Sequence, residues 1–202
     1  MTEEEDRWSN LAWREWYDVI PAKYQIAHPA DFDEEEYPGV NSLMSCPWEG
    51  IFLSGPTGTG KTHLGTAIMR DAMNPKNPNF CGIMKGETYN YDKSIAWISV
   101  PHLLEVIKST FNGLSGKTSY GVCQEFIKPK ILLLDDLGAE KRTDFSLSTV
   151  YFIVSERINQ MKKTIITTND SLSVIDKYEP RLASRLASFS TVELPSRDRR
   201  LK

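Results

Sequence analysis

Residues 55–62 read Gly-Pro-Thr-Gly-Thr-Gly-Lys-Thr, a complete G-x-x-x-x-G-K-[ST] phosphate-binding pattern. Its three glycines let the backbone turn tightly and aim successive N–H groups at phosphate oxygens. The run before it, Gly50-Ile-Phe-Leu-Ser54, is a short apolar strand, and residues 63–70 after it have helical spacing. The loop therefore joins a strand to a helix N-terminus, where the helix dipole also favours phosphate. The candidate binding set is Gly55, Pro56, Thr57, Gly58, Thr59, Gly60, Lys61, Thr62 and His63. Within it Lys61 supplies a charge that reaches the β- and γ-phosphates, and the Thr62 hydroxyl is a ligand for Mg²⁺. A nucleoside triphosphate such as ATP, with Mg²⁺, is the implied cofactor pair.

From Gly50 onward short apolar runs alternate with helical stretches. Strands are predicted at 51–54, 95–100, 131–134, 164–167 and 191–194. Helices are predicted at about 61–73, 101–111, 119–127, 146–162 and 179–189. This alternation implies βαβ units: an α/β fold with a central, mainly parallel, five-stranded sheet between two helical layers. The unbroken apolar run Ile131-Leu-Leu-Leu134 suits a central strand covered on both faces. Residues 74–94 read as a long irregular excursion. Upstream, Trp8, Ala12 and Trp16 stack at i, i+4, i+8, with Trp13, Tyr17 and Ile20 beside them, which predicts an amphipathic helix ending near Pro21. That aromatic face either packs on the chain's own core or docks a partner. Residues 21–49 carry four prolines and an acidic run and read as an extended lead-in. The expected division is 1–49 as helix and lead-in, and 50–202 as the nucleotide-binding domain.

Bulk composition narrows the partners. The net charge is −3, so any nucleic-acid surface must be a local patch. Cys46, Cys81 and Cys123 are far apart and show no metal or disulfide spacing, which suits a reducing compartment. The acidic N-terminus is the reverse of a targeting peptide. No apolar run approaches the ~20 residues of a membrane span. A soluble cytoplasmic protein is expected.

The second half of a nucleotide site lies downstream. Ile131–Leu134 leads into Asp135 and Asp136, and a carboxylate at that strand end of a phosphate-loop fold meets Mg²⁺. Asp135 is the metal-side acid, and Asp136 is the candidate to orient the attacking water. The run Thr164-Ile-Ile-Thr-Thr-Asn169 ends in an amide that a neighbouring parallel strand would set beside Asp135. Arg181 and Arg185 share one helix face. On spacing alone, a solvated basic face pairing with Glu179 or Glu156 explains them as well as phosphate contact across a subunit boundary does.

Taken together, GPTGTGKTHLGTAI at 55–68, ILLLDDLGAEK at 131–141, TIITTN at 164–169 and EPRLASRL at 179–186 resemble the AAA+ ATPases of the helicase-loader clade of DnaC and DnaI, with the transposition helper IstB close by. The resemblance implies a three-layer AAA+ fold with little or no C-terminal lid. It makes Asn169 the first sensor residue, Arg185 the arginine finger on a neighbouring subunit's nucleotide, and Arg181 its companion. Arg199 matches the second sensor arginine, with Arg200 as the alternative. Asp136 stands where many members carry Glu, and the shorter side chain implies slow turnover. The implied partners are a replicative helicase, single-stranded DNA and further copies of the same chain, with no membrane. DNA contact is expected along 101–128, with Lys108, Lys117, Lys128 and Lys130 and with Phe111 and Tyr120 as stacking groups. The rival readings are an IstB-like transposition helper, a small-molecule kinase and a non-hydrolysing ATP-switched adaptor.

Overall fold

The computed structural model describes residues 14–35, 37–45, 49–74, 77, 94–112 and 116–195. Strands β1 (Gly50–Ser54), β2 (Ile95–Ser99), β3 (Ile131–Leu137), β4 (Lys163–Thr168) and β5 (Ser190–Glu193) form one sheet in the order β2-β3-β4-β1-β5. Every pairing is parallel, as the alternating pattern implies. Eight helices are described: α1 (14–19), α2 (Val40–Ser45), α3 (Lys61–Asp71), α4 (Val100–Ser109), α5 (Ser119–Ile127), α6 (Asp144–Asn159), α7 (Leu172–Tyr178) and α8 (Pro180–Leu186).

The strand period of two sorts the core into two halves. Ile51, Leu53, Ile131, Leu133 and Ile165 point to one face, where they pack with Leu64 and Ile68 of α3. Phe52, Leu132, Leu134 and Ile166 point to the other, under α4 to α8. A strand buried on both faces has no polar alternation, which is why 131–134 reads as a continuous apolar run. The α/β three-layer architecture follows.

Several expectations change. First, the lead-in is not a strand of chain lying outside the core. Ala27, Phe32, Tyr37, Val40 and Leu43 are buried in the same cluster as α3 and β1. Short 3₁₀ turns at Ala22–Tyr24 and Pro29–Asp31 carry the chain between them. Prolines signalled irregular backbone correctly, but buried residues on irregular backbone show no period. Second, α7 was not expected. Its apolar stripe is only Leu172, Ile175 and Tyr178, with Ile175 alone fully buried, which is too short to stand out in the sequence. Third, β3 runs on through both acids to Leu137, with a register shift between Leu134 and Leu137. The helix expected at 179–189 stops at Leu186.

The aromatic helix is part of the core where it is described. Trp16 is fully buried, and its Nε1 donates to Gln25 O at 3.3 Å. Gln25 in turn caps the helix end, donating to Ile20 O at 2.8 Å. Glu15 Oε1 accepts from the Ile95 backbone N–H at 3.0 Å, so α1 also satisfies the start of edge strand β2. Trp8 and Trp13, most of the 74–94 excursion, and 196–202 with Arg199 and any lid lie outside the described residues.

One buried charge ties the lower edge of the sheet together. Arg157 of α6 is fully buried and donates through Nη1 to the carbonyls of Phe126 at 2.9 Å, Ile127 at 3.0 Å and Pro129 at 2.9 Å. Its Nε donates to Thr164 Oγ1 at 2.9 Å and its Nη2 to the Lys163 carbonyl. Burial lowers the guanidinium pKa to about 9, which leaves it charged at neutral pH. Methionine at this position fills much of the same volume but leaves several buried carbonyls without donors, at about 1–3 kcal/mol each. Arg157→Met is therefore expected to lose about 3 kcal/mol or more in urea unfolding, and a loss below about 1 kcal/mol would contradict this account.

Candidate functional site

The phosphate loop leaves the carboxyl end of β1, where its glycines are needed. Gly55, Gly58 and Gly60 have φ of 139°, 86° and 95°. A Cβ on Gly55 would also lie 2.7 Å from Leu194 O, just beyond β5. Gly60 is the N-cap of α3, so the loop ends with helix amides facing the cleft. Gly65 lets α3 press on the sheet, since its Cβ would stand 3.0 Å from Leu133. Lys61 is buried and donates to Gly55 O at 2.8 Å and Pro56 O at 2.7 Å. Thr59 Oγ1 closes the loop on Pro56 O at 3.0 Å.

Parallel β3 and β4 bring the second set of groups to the same end. Asp135 is buried, and Thr167 Oγ1 donates to its Oδ1 at 2.6 Å. The residue set against Asp135 is thus Thr167 rather than Asn169. Thr168 stands opposite Leu137, so Asn169 lies past the strand end. Burial pushes the Asp135 carboxyl up to about 6, the nearby Asp136 charge adds to this, and hydrogen bonds from Thr167 and Thr62 pull against it. Asp136 adopts φ 56°, uncommon for a residue with a side chain, and its backbone N–H donates to Thr167 Oγ1 at 3.0 Å. One threonine hydroxyl therefore holds both acidic residues.

A cleft of about 570 Å³ opens here, lined by Thr57, Gly58, Gly60, Lys61, Thr62, His63, Asp136, Ala139 and Asn169. Lys23 and Tyr24 of the lead-in, which are not among the candidate site residues, line it as well. Tyr24 packs 6.2 Å from the Trp97 ring, and Lys23 lies 5.3 Å from the Tyr24 ring centre. Position alone brings them to the cleft, so nothing in their spacing could have marked them. His63 faces the cleft but also meets Asp31 Oδ2 at 2.7 Å, which fastens the lead-in to the first turn of α3.

The residues fit a magnesium nucleotide. A hard cation bound to phosphates takes hydroxyl and carboxylate oxygens from the protein, and Thr62 and the buried Asp135 lie near enough for Thr62 to lower the Asp135 pKa. Among the described residues no cluster of three or more His, Cys, Asp or Glu offers a closed metal cage.

Arg181 and Arg185 are elsewhere. They lie on α8, on the face of the sheet opposite α3, and neither lines the cleft. The helix ends just before β5, whose Ser190 pairs with Ile51 near the amino end of β1. Arg185 is therefore close to the ends of the strands away from the loop. Arg181 pairs with Glu179 at 2.9 Å and lies 5.0 Å from the Tyr151 ring centre. On α4 and α5, Lys108 pairs with Glu105 at 2.8 Å and Lys117 with Glu125 at 2.6 Å. Phe111 and Tyr120 are exposed, beside Phe145 and Phe152. No helix among the described residues is long and apolar enough to cross a membrane.

The profile of the family described as IstB-like ATP binding protein matches residues 23–179. The chain is 28% identical over 119 residues to the replicative helicase loader DnaC of Buchnera aphidicola subsp. Baizongia pistaciae, covering 59% of this chain and 42% of that protein. It is 26% identical over 149 residues to a putative ATP-binding protein in an insertion sequence of Mycobacterium tuberculosis, covering 69% of this chain and 51% of that one. The chain thus spans about half or less of these curated relatives. Among solved structures, the DnaC helicase loader superposes with a TM-score of 0.66 at 18% identity, over 87% of this chain and 100% of that one. DnaI gives 0.66 at 18%, over 92% and 99%. At such identity these two speak to the fold alone.

The raised Asp135 pKa has a consequence in solution. A carboxyl that is harder to ionise folded than unfolded makes the native state hold its proton longer, so stability present below about pH 4 is lost as pH rises through about 6. A shift of about two units corresponds to about 3 kcal/mol. Asp135→Asn keeps an acceptor for Thr167 and removes the charge. It is expected to be the more stable protein at pH 7, with a smaller fall between pH 4 and 6 than the wild type shows. Parallel pH-stability curves for the two proteins would refute this.

Proposed function

The chain belongs to the family of IstB-like ATP-binding proteins, and from that premise we propose that it hydrolyses ATP and loads a replicative helicase onto single-stranded DNA. The observation that carries the ATPase part is the convergence of Lys61, Thr62, Asp136 and Asn169 on one cleft, with buried Asp135 held by Thr167 beside them. The loop amides and Lys61 bind the β- and γ-phosphates. Thr62 and Asp135 would hold Mg²⁺, which neutralises phosphate charge when bound. Asp136 orients the attacking water and accepts its proton, and Asn169 holds the γ-phosphate oxygen. With one methylene less than Glu, Asp136 reaches water less closely, and turnover is slow. Water as acceptor also suits the paired acids better than the kinase reading does.

Arg185, assisted by Arg181, completes the site of the next copy. The reading is supported by its place on the opposite face of the sheet from the cleft, as a head-to-tail assembly requires. Arg199 acts as the second sensor on the subunit's own nucleotide. Single-stranded DNA stacks on Phe111 and Tyr120, both more than half exposed. The pairs Lys108–Glu105 and Lys117–Glu125 weaken the basic field there, so stacking carries more of this contact than charge. The loader reading draws on the DnaC relative and the soluble cytoplasmic setting it implies. The insertion-sequence relative favours a second reading, a transposition helper that recruits a transposase on DNA.

The test is ATP turnover with and without single-stranded DNA, and capture of replicative helicase or transposase in ATP and in ADP. Lys61→Ala is expected to lose nucleotide binding. Arg185→Ala should retain binding and lose turnover by about a thousandfold. Mixing the two inactive proteins should restore activity, because each supplies the half the other lacks. Arg185→Ala turning over normally would remove the shared-site model. ATP bound but never hydrolysed, even with DNA and partner, would leave the adaptor reading.

A further inference from the structure

Beyond the cleft residues, the ends of β3 and β4 are joined by a second layer of contacts. Thr168 Oγ1 donates to Leu137 O at 2.7 Å and accepts from the Asp170 backbone N–H at 3.0 Å. Asp170 Oδ2 accepts from Arg142 Nη2 at 2.7 Å and from the Tyr178 hydroxyl at 3.2 Å. The Arg142 guanidinium lies 4.1 Å from the centre of the Tyr178 ring. The 138–142 loop is itself folded: Glu140 Oε2 accepts from Gly138 N–H at 2.8 Å, and Ala139 N–H donates to Asp136 O at 3.2 Å. Gly138 has φ 89°, and a Cβ there would come within 2.8 Å of Asp170 Oδ2.

These contacts have a common effect. Asn169 is exposed, but both its chain neighbours are fastened to the end of β3 and the loop after it, Thr168 at Leu137 and Asp170 at Arg142. Asp136 on that strand end, Ala139 in that loop and Asn169 all line the cleft. Arg142 is half-exposed, so its pair with Asp170 adds little global stability, whereas the bond lies directly between the two loops that carry Asp136 and Asn169. We propose that Asp170 and Arg142, steadied by Tyr178, form a latch that sets the spacing of Asp136 and Asn169, making them positioning residues for recognition of the γ-phosphate. A latch of this kind lets the cleft distinguish a triphosphate from a diphosphate without touching either. The proposal rests on the nucleotide reading above.

The test measures ATP and ADP affinity, turnover and melting temperature of the full chain and of Arg142→Ala, Asp170→Asn, Tyr178→Phe and the exchanged pair Arg142→Asp with Asp170→Arg. The latch predicts ADP affinity and melting temperature close to wild type in the single variants. It predicts that the preference for ATP over ADP, and kcat, fall about tenfold, a loss typical of groups shifted by less than an ångström. Tyr178→Phe, which keeps the ring under Arg142, should lose less. The exchanged pair should recover part of the loss. Single variants that bind and hydrolyse like wild type overturn the latch. So does a loss of ADP affinity equal to that of ATP, or a double variant no better than the sum of its parts. A wild-type chain that binds neither nucleotide overturns the nucleotide reading itself.

Discussion

The register between β3 and β4 is the constraint on which the site depends, and Arg157 guards it from below. Its guanidinium reaches carbonyls just before β3 and at the start of β4, so one planar group spans the entry to both central strands. From that anchored edge Ile131 pairs with Lys163 and Leu134 with Ile166. One residue further on, Thr167 and Asp135 meet at 2.6 Å. A slip of one residue would turn the β4 side chains to the other face and set Ile166 or Thr168 in the place of Thr167 beside Asp135. A buried guanidinium surrounded by carbonyls is a demanding choice for a core. Its fixed donor geometry ties the α5 end and two strands in a way no apolar side chain can.

The same economy governs the upper edge. Thr167 serves Asp135 through its hydroxyl hydrogen and Asp136 through its oxygen. Thr168 does likewise for Leu137 and Asp170. Successive β4 threonines therefore stitch the irregular end of β3 after the ladder shifts register. The shift and the left-handed Asp136 together re-aim the acid into the cleft, the use to which strand irregularities beside active sites are put. Strain of about 1–3 kcal/mol at such a residue persists only when its neighbours hold it, and two threonines do.

How legible was this in the sequence? The phosphate loop was fully legible, because its chemistry needs particular residues at fixed spacing. The sheet was legible because two-sided burial writes unbroken apolar runs into short strands. Asp135 and Asp136 were legible as the end of such a run. The lead-in was not: its buried side chains, Phe32, Tyr37 and Val40 among them, follow 3₁₀ turns and bends with no repeat. Lys23 and Tyr24 reach the cleft only because those turns bring them there. Thr167 looked like one β-branched residue among several in a strand, and its hydroxyl acquires meaning only across the ladder. The two arginines of α8 share a face as their spacing required, yet spacing could not say which face of the sheet that helix covers.

The place of α8 bears on the proposed contact between copies. The cleft lies at the carboxyl ends of the strands on the α3 side, and Arg185 lies toward the amino ends on the α8 side. Two surfaces this far apart on one molecule cannot be self-complementary about a two-fold axis. A contact joining them is head-to-tail and repeats into a ring or a helix. In the proposed assembly, nucleotide between two copies would add interactions only when both surfaces are present, and binding free energy at the cleft would become assembly free energy. The lead-in closes the argument from the other side. It is packed on α3, tied to His63 beside Thr62, and joined through α1 to the edge strand β2. Chain that precedes the phosphate loop is therefore mechanically part of the nucleotide site, and whatever it contacts is positioned to feel which nucleotide is bound.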